Sequence, residues 1–185
     1  MKQGNLVGRL LIRILEHRDL DFARMLHNDD STLLRLTDVE HVTELQQEQW
    51  FKSISTSKKC KRYTVLDAET ERPIGVFRVD MIDLINKSCC VGLDIAPDMR
   101  CKGYAREIYS YFLNYYFLHC GFNRLYLAVL ETNDVGKNLY ASIGFKEEGL
   151  FREAVYRNGQ YSDLIWMGIL RRDFDETRKH NPNET

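Results

Sequence analysis

The stretch that most constrains this chain runs from Val91 to Phe112, VGLDIAPDMRCKGYAREIYSYF, where an apolar strand gives way to a short basic turn and then a long helix. Pro97 stops the strand at Ile95 or Ala96, because proline lacks the amide that a sheet ladder needs. The turn from Arg100 to Gly103 delivers the chain into a helix whose first amides have no carbonyl partner within the helix. With the helix dipole behind them and Arg100 and Lys102 beside them, those amides suit a phosphate or pyrophosphate. Gly103 lets the backbone approach such an anion with no side chain in the way.

Composition limits what surrounds this stretch. At 185 residues, 44% hydrophobic and 29% charged, the chain fits one globular domain with a real core, expected over 1–174, followed by a charged, frayed tail over 175–185. Twenty-six basic against 27 acidic side chains give a net charge of -1, so no global field favours nucleic acid or an anionic membrane. The opening MKQGNLVGRLLIRILEHRDL is interrupted by Arg9, Arg13 and Glu16, unlike a signal core or a span, which points to a cytoplasmic protein. The five cysteines include the neighbours Cys89 and Cys90, which a strand points to opposite faces, so reduced thiols are expected. With no CxxC pair, no HExxH and no histidine cluster, no metal is expected either.

In chain order, residues 9–15 read as a first strand and Glu16 to His27 as a helix with Leu20, Phe22, Ala23 and Leu26 inward. A second helix is expected from Val42 to Ser53, with Leu45, Gln49 and Trp50 on one side. The basic run Lys58, Lys59, Lys61 and Arg62 lacks interleaved aromatics and reads as a solvated turn. From Lys58 to Ile95 the pattern gives three strands in an antiparallel meander, with turns at Glu69–Pro73 and Asn86–Ser88. The helix after the basic turn carries two apolar sets, Ile108, Phe112, Tyr115 and Tyr116, then Tyr109, Leu113 and Phe117, with Gly121 as its cap. Asn123 to Leu130 is a strand parallel to Val91–Ile95 across a right-handed crossover, the unit that places ligands at strand carboxyl ends. A helix from Asp134 to Ile143 and a hairpin turning at Asn158-Gly159 complete the pattern.

RCKGYA, Arg100 to Ala105, resembles the acetyl-CoA signature of the GNAT N-acetyltransferase superfamily: Gln or Arg, two residues, Gly, one residue, then Gly or Ala. The downstream NDVGKNLYASIGF, Asn133 to Phe145, is similar to that family's second conserved segment, and the likeness covers nearly the whole chain. It is closest to the branch of ribosomal-protein alanine acetyltransferases and bacterial spermidine acetyltransferases. The resemblance implies an α/β (α+β) fold: a mixed, mostly antiparallel sheet flanked by helices and splayed between its fourth and fifth strands, Cys90 to Ile95 and Leu125 to Leu130. It implies acetyl-CoA as co-substrate in that wedge, with the backbone of Leu93, Asp94 and Ile95 on the pantetheine amides. The turn and helix start, Arg100, Cys101, Lys102, Gly103, Tyr104 and Ala105, would hold the pyrophosphate, Asn133 would bond the cofactor or neighbouring backbone, and Tyr140 would stand near the thioester sulfur.

Amine acetylation needs a neutral amine, a polarised carbonyl and a proton for the departing thiolate. A backbone amide among Leu93 to Ile95 would polarise the carbonyl. Tyr140 is the expected general acid, since a phenol with a pKa of about 10 matches a thiol of similar basicity. Related spermidine enzymes carry a glutamate in the central strand, and alignment on Ala96-Pro97 puts Cys90 there, which cannot play that role. Asp94 shares the face of Cys90 by period-two counting and is the base expected here; Asp80, Asp83, Glu131 and a water relay are the alternatives. A second departure is Gly136, where the family commonly has alanine. The acceptor would be a small-molecule or peptide amine: a polyamine, a protein N-terminus or an amino sugar. Asp29, Asp30, Asp38, Glu40, Glu44 and Glu48 make the first helices acidic, which favours a cationic acceptor. Homo-oligomerisation is left open. The competing class is a non-catalytic CoA-binding sensor, motivated by the missing glutamate.

Overall fold

A computed structural model describes residues 4–36 and 39–180, with side chains through Glu176. Among the described residues, eight strands, counted in chain order, pair in the spatial order 1-2-3-4-5-6-8-7, and the chain groups into two compact units. The first takes in residues up to Ile82 together with Val91–Ile108, and the second takes in Asp83–Cys90 and everything from Tyr109 onward.

In the first unit, β1 (Asn5–Val7) and β2 (Leu10–Ile14) make a hairpin turning at Gly8 and Arg9. The expected first strand over 9–15 is therefore the second arm of that hairpin, and three-residue β1 is too short to carry a pattern. A 3-10 turn, His17–Asp19, leads into α1 (Leu20–Asn28), and α2 (Asp30–Leu33) adds one turn capped by Asp29. In α3 (Glu44–Thr56) a reciprocal Thr43–Gln46 box satisfies the helix start. Its inward side differs from expectation: Gln47 is buried and Trp50 half-buried, whereas Leu45 is 68% exposed. The meander follows as β3 (Lys61–Asp67), β4 (Pro73–Asp83) and β5 (Ser88–Ile95). Lys61 and Arg62 thus belong to a strand, not a solvated turn, and the Arg62 side chain is only 11% exposed beside Asp80. Leu10, Ile12, Val65, Ile74, Phe77 and Val79 form the core of this unit.

The second unit is built on α4 (Tyr104–Asn114), whose C-terminal half from Tyr109 lies in it and which widens into a π-helical turn at Tyr115–His119. Cys120 closes that turn with a bond to the Tyr115 carbonyl (3.0 Å), and Gly121, at φ 67°, ends it as expected. β6 (Arg124–Leu130) runs parallel to β5, pairing Ser88–Cys90 with Arg124–Tyr126, while the remaining residues of β5 belong to the first unit. These are the fourth and fifth strands of the sequence reading, renumbered by the extra β1. α5 (Asp134–Ile143) has the expected bounds, and β7 (Lys146–Arg157) and β8 (Gln160–Leu170) turn at Asn158 and Gly159, both at positive φ. Phe112, Phe117, Leu125, Leu127 and Ile169 are fully or almost fully buried. Of the charged C-terminal segment, α6 spans Arg171–His180, with Arg171 paired to Asp175 and Phe174 against Phe117, and residues 181–185 of the expected frayed tail lie outside the described residues. Among the described residues, no helix is long and apolar enough to cross a membrane.

Candidate functional site

The first half of the site is the end of β5 and the turn beyond it, all within the first unit. β4 backs the strand so closely that a Cβ on Gly75 would lie 2.3 Å from the Asp94 carbonyl oxygen. The Ala96 amide bonds the Ile74 carbonyl (2.9 Å), so Leu93 to Ile95 are held against a rigid neighbour. Pro97–Met99 make a single 3-10 turn, and Cys101 and Gly103 then take positive φ, 59° and 84°. The amides of Arg106 and Glu107 return to the Gly103 carbonyl (3.1 and 3.4 Å), so those from Cys101 to Ala105 precede the helical ladder. Cys101, Lys102 and Gly103 are exposed, Tyr104 is buried and Ala105 intermediate. A cradle of helix-start amides opened by a glycine fits a pyrophosphate.

Two arginines hold this turn, and only one was expected near it. Arg100 points inward: its Nε donates to the Ile95 carbonyl (3.0 Å), and its terminal nitrogens donate to Ser31 Oγ and Thr32 Oγ1 (2.7 Å each), with Asp29 at 3.8 Å. Burial lowers its guanidinium below the ordinary value, with Arg35 adding in the same direction. Arg9, from the β1–β2 turn, lies on the outer side. It donates to the Lys102 carbonyl (2.7 Å) and to Glu107 (2.6 Å), and stacks 4.1 Å from the Tyr104 ring centroid. Nothing in the local sequence around Arg9 signals this, because its partners are more than ninety positions away.

Asp94 lines a pocket of about 370 Å³ walled by α1, α3, Leu36 and the segment 40–42. Asn28 fixes that segment by bonding Val42 twice, at its amide and its carbonyl, 2.8 Å each. Arg78 crosses Gly92, where a Cβ would come within 2.8 Å of its Nη2, and its Nε lies 3.1 Å from Asp94 Oδ2. Asp94 and Gly92 therefore share the face that Arg78 crosses, as the period-two count has it. Of the other base candidates, Asp80 pairs with Arg62 (2.8 Å), Asp83 caps the β4–β5 turn through the Ile85 and Asn86 amides (2.9 Å each), and Glu131 is exposed after β6. Among the described residues, the acidity expected of the first helices reaches this pocket through Glu40. Asp29 caps α2, and Glu48 lies 2.7 Å from His17 Nε2, while Asp38 is outside the described residues.

The remaining candidates lie in the second unit. Asn133 caps α5, its Oδ1 accepting the Gly136 amide (3.0 Å), and a Cβ on Gly136 would stand 2.8 Å from Asn133 Nδ2. Glycine at position 136 therefore gives the cap its room. Tyr140 packs edge-on against Tyr109 (centroids 5.6 Å) and tilted against Phe145 (6.0 Å). Cys90 faces Tyr126 across the parallel pair. Burial pushes the neighbouring Cys89 thiol up to about 12, which leaves it inert at neutral pH.

Residues 12–166 match the family model described as the acetyltransferase (GNAT) domain. The chain is 29% identical over 164 residues to a spermidine N(1)-acetyltransferase of Vibrio cholerae, spanning 89% of this chain and 94% of that one. It is 26% identical to an uncharacterized N-acetyltransferase, p20, of Bacillus licheniformis, over 90% of this chain and 95% of that one. Among solved structures, spermidine N-acetyltransferase from Vibrio cholerae in complex with CoA and spermine superposes with a TM-score of 0.86 at 28% identity, covering 91% and 99% of the two chains.

Proposed function

The chain belongs to the GNAT acetyltransferase family and is an acetyl-CoA-dependent amine N-acetyltransferase; from that premise we propose direct transfer in a ternary complex, with the acceptor amine entering the pocket that Asp94 lines. The observation that carries this reading is the continuity of one short stretch: Asp94 stands on the pocket wall, and the cradle of amides from Cys101 to Ala105 opens a few residues later. An amine bound beside the strand end then meets a thioester whose pyrophosphate is held by the same turn.

In this reading the backbone of Leu93 to Ile95 holds the pantetheine arm and one of its amides polarises the thioester carbonyl. The amine must be unprotonated when it attacks. Its nitrogen forms the new C–N bond as the C–S bond breaks, the nitrogen's proton passes to Asp94 or to water, and the thiolate takes a proton from Tyr140. Asn133 keeps the start of α5 in place for that tyrosine. Arg100 ties the cradle to α2 from within, and Arg9 braces it from outside. The sensor alternative rested on Cys90 standing where a carboxylate was expected, and Asp94 and Glu40 on the pocket wall supply carboxylates by another route.

The test is thiol release from acetyl-CoA across a panel of amines that includes spermidine, the acceptor named for the Vibrio cholerae relative, N-terminal peptides and amino-sugar nucleotides. Turnover with at least one amine is expected, and none with any would reject the reading. Arg9→Ala should raise the Kd for acetyl-CoA about five- to tenfold, because a charge-assisted fork to the turn is lost. Titration calorimetry checks this, with Arg9→Lys restoring only part of the affinity. Unchanged affinity would make Arg9 a surface ion pair without function.

A further inference from the structure

Resting on that reading of the pocket, we propose that the acceptor is an amine whose carrier also bears an anionic group, a carboxylate or phosphate near the reacting nitrogen, and that Arg78 is the residue that selects it. Among the described residues, the lining of the pocket is not the acidic one that the composition of the first helices suggests. Its walls carry two guanidinium side chains, Arg62 and Arg78, and two imidazoles, His27 and His41, against two carboxylates, Glu40 and Asp94. A linear polycation would need its several ammonium groups matched by carboxylates, and among the described residues Glu40 and Asp94 are the two that line this pocket. Asp29 is engaged by Thr32, Ser31 and Arg100, and Glu48 by His17.

The geometry of Arg78 gives the site its character. Because residue 92 is glycine, the guanidinium lies across β5 and reaches Asp94, so the pocket presents one positive and one negative group side by side. Arg78 is 37% exposed and Asp94 18%, so the pair is open enough for a ligand to reach it and sheltered enough to be screened less than a surface pair. A molecule with its own adjacent ammonium and anion can engage both partners with opposite polarity, and the planar guanidinium suits a carboxylate or phosphate. A polyamine brings only charge that Arg78 repels. The other guanidinium, Arg62, is tied to Asp80 (2.8 Å) with its centre 5.8 Å from the Trp50 ring centroid, which gives the carrier a firm, partly apolar wall.

The test compares kcat/KM for an amino-carboxylate and an amino-phosphate, each against its uncharged amide or ester analogue, and against spermidine. The wild-type protein is expected to prefer an anion-bearing amine over both its uncharged analogue and spermidine by about tenfold or more. Arg78→Gln should cut that preference about tenfold, and Arg78→Lys should keep part of it. The carboxylate and phosphate arms identify which anion is read. Spermidine as the best acceptor, or a preference that Arg78→Gln leaves untouched, overturns the proposal. Turnover of uncharged amines without an anion preference rejects this inference while the transferase reading stands, and absence of thiol release with every amine rejects both. The wild-type preference decides the matter even where an Arg78 variant fails to fold.

Discussion

Asp19→Asn is expected to destabilise the protein by about 3–5 kcal/mol, the cost of leaving a buried charge without its partner. Asp19 is 5% exposed, and its carboxylate accepts both terminal nitrogens of Arg13 (2.5 and 2.6 Å) and the Glu16 amide (2.9 Å). The Arg13 side chain is itself only 12% exposed, so asparagine would strand a guanidinium between β2 and the start of α1. For a chain of this size the loss corresponds to a fall of roughly 6–20 °C in Tm, read by calorimetry. A change below about 1 kcal/mol would mean that water replaces the carboxylate and that the pair is of the surface kind. The pH dependence gives an independent check. Burial alone would push the Asp19 carboxyl up, but the Arg13 guanidinium and the Glu16 amide outweigh it and hold it below the ordinary carboxylate value. A depressed group contributes stability above its unfolded pKa of about 3.9, and that stability disappears as pH falls through the lower folded value. Denaturant midpoints of the wild-type protein should therefore fall below about pH 4, and the variant should lack this component of the fall.

What could be read before the structure, and what could not, divides along the range of the interactions. The strand, turn and helix around Arg100–Gly103, the bounds of α5 and the Asn158-Gly159 hairpin were legible because proline, glycine and cap residues act within a few positions of themselves. The π-helical turn at Tyr115–His119 was not, since a run of aromatics reads as continuing helix whether its bonds close at four residues or at five. The larger gap concerns charge. Counting carboxylates in the first two helices suggests an acidic surface, but Asp29 and Glu48 are each claimed by a basic or capping partner. Arg62 sits in a basic run and reads as solvated, yet β3 carries it beside Asp80 and Trp50. Arg9 and Arg78 carried no signal at all, because their roles depend on partners that only the folded chain brings near. Composition records how many charges a segment has, and pairing decides which of them a ligand meets.

Tyr140→Phe is expected to lower kcat about a hundred- to a thousandfold while leaving acetyl-CoA affinity within about twofold, if Tyr140 is the general acid we propose. The substitution suits the question because it removes only the hydroxyl. The ring is held by edge contact with Tyr109, itself fully buried, and by Phe145, which is 3% exposed, and phenylalanine preserves both contacts. The backbone around it is also fixed: the Tyr140 carbonyl accepts the Phe145 amide (3.0 Å), and Gly144, at φ 108°, ends α5. The melting temperature of the variant should therefore stay close to that of the wild-type protein, so that lost turnover reports on proton transfer and not on folding. A role confined to packing predicts the reverse pattern, with turnover retained within about threefold, because phenylalanine packs as tyrosine does. That result would assign the thiolate's proton to water and return Tyr140 to the aromatic core of the second unit. Single-turnover measurement at saturating acetyl-CoA separates the two cases, since it reads the chemical step without product release. Loss confined to multiple turnovers would point to product release and remove Tyr140 from the acid role.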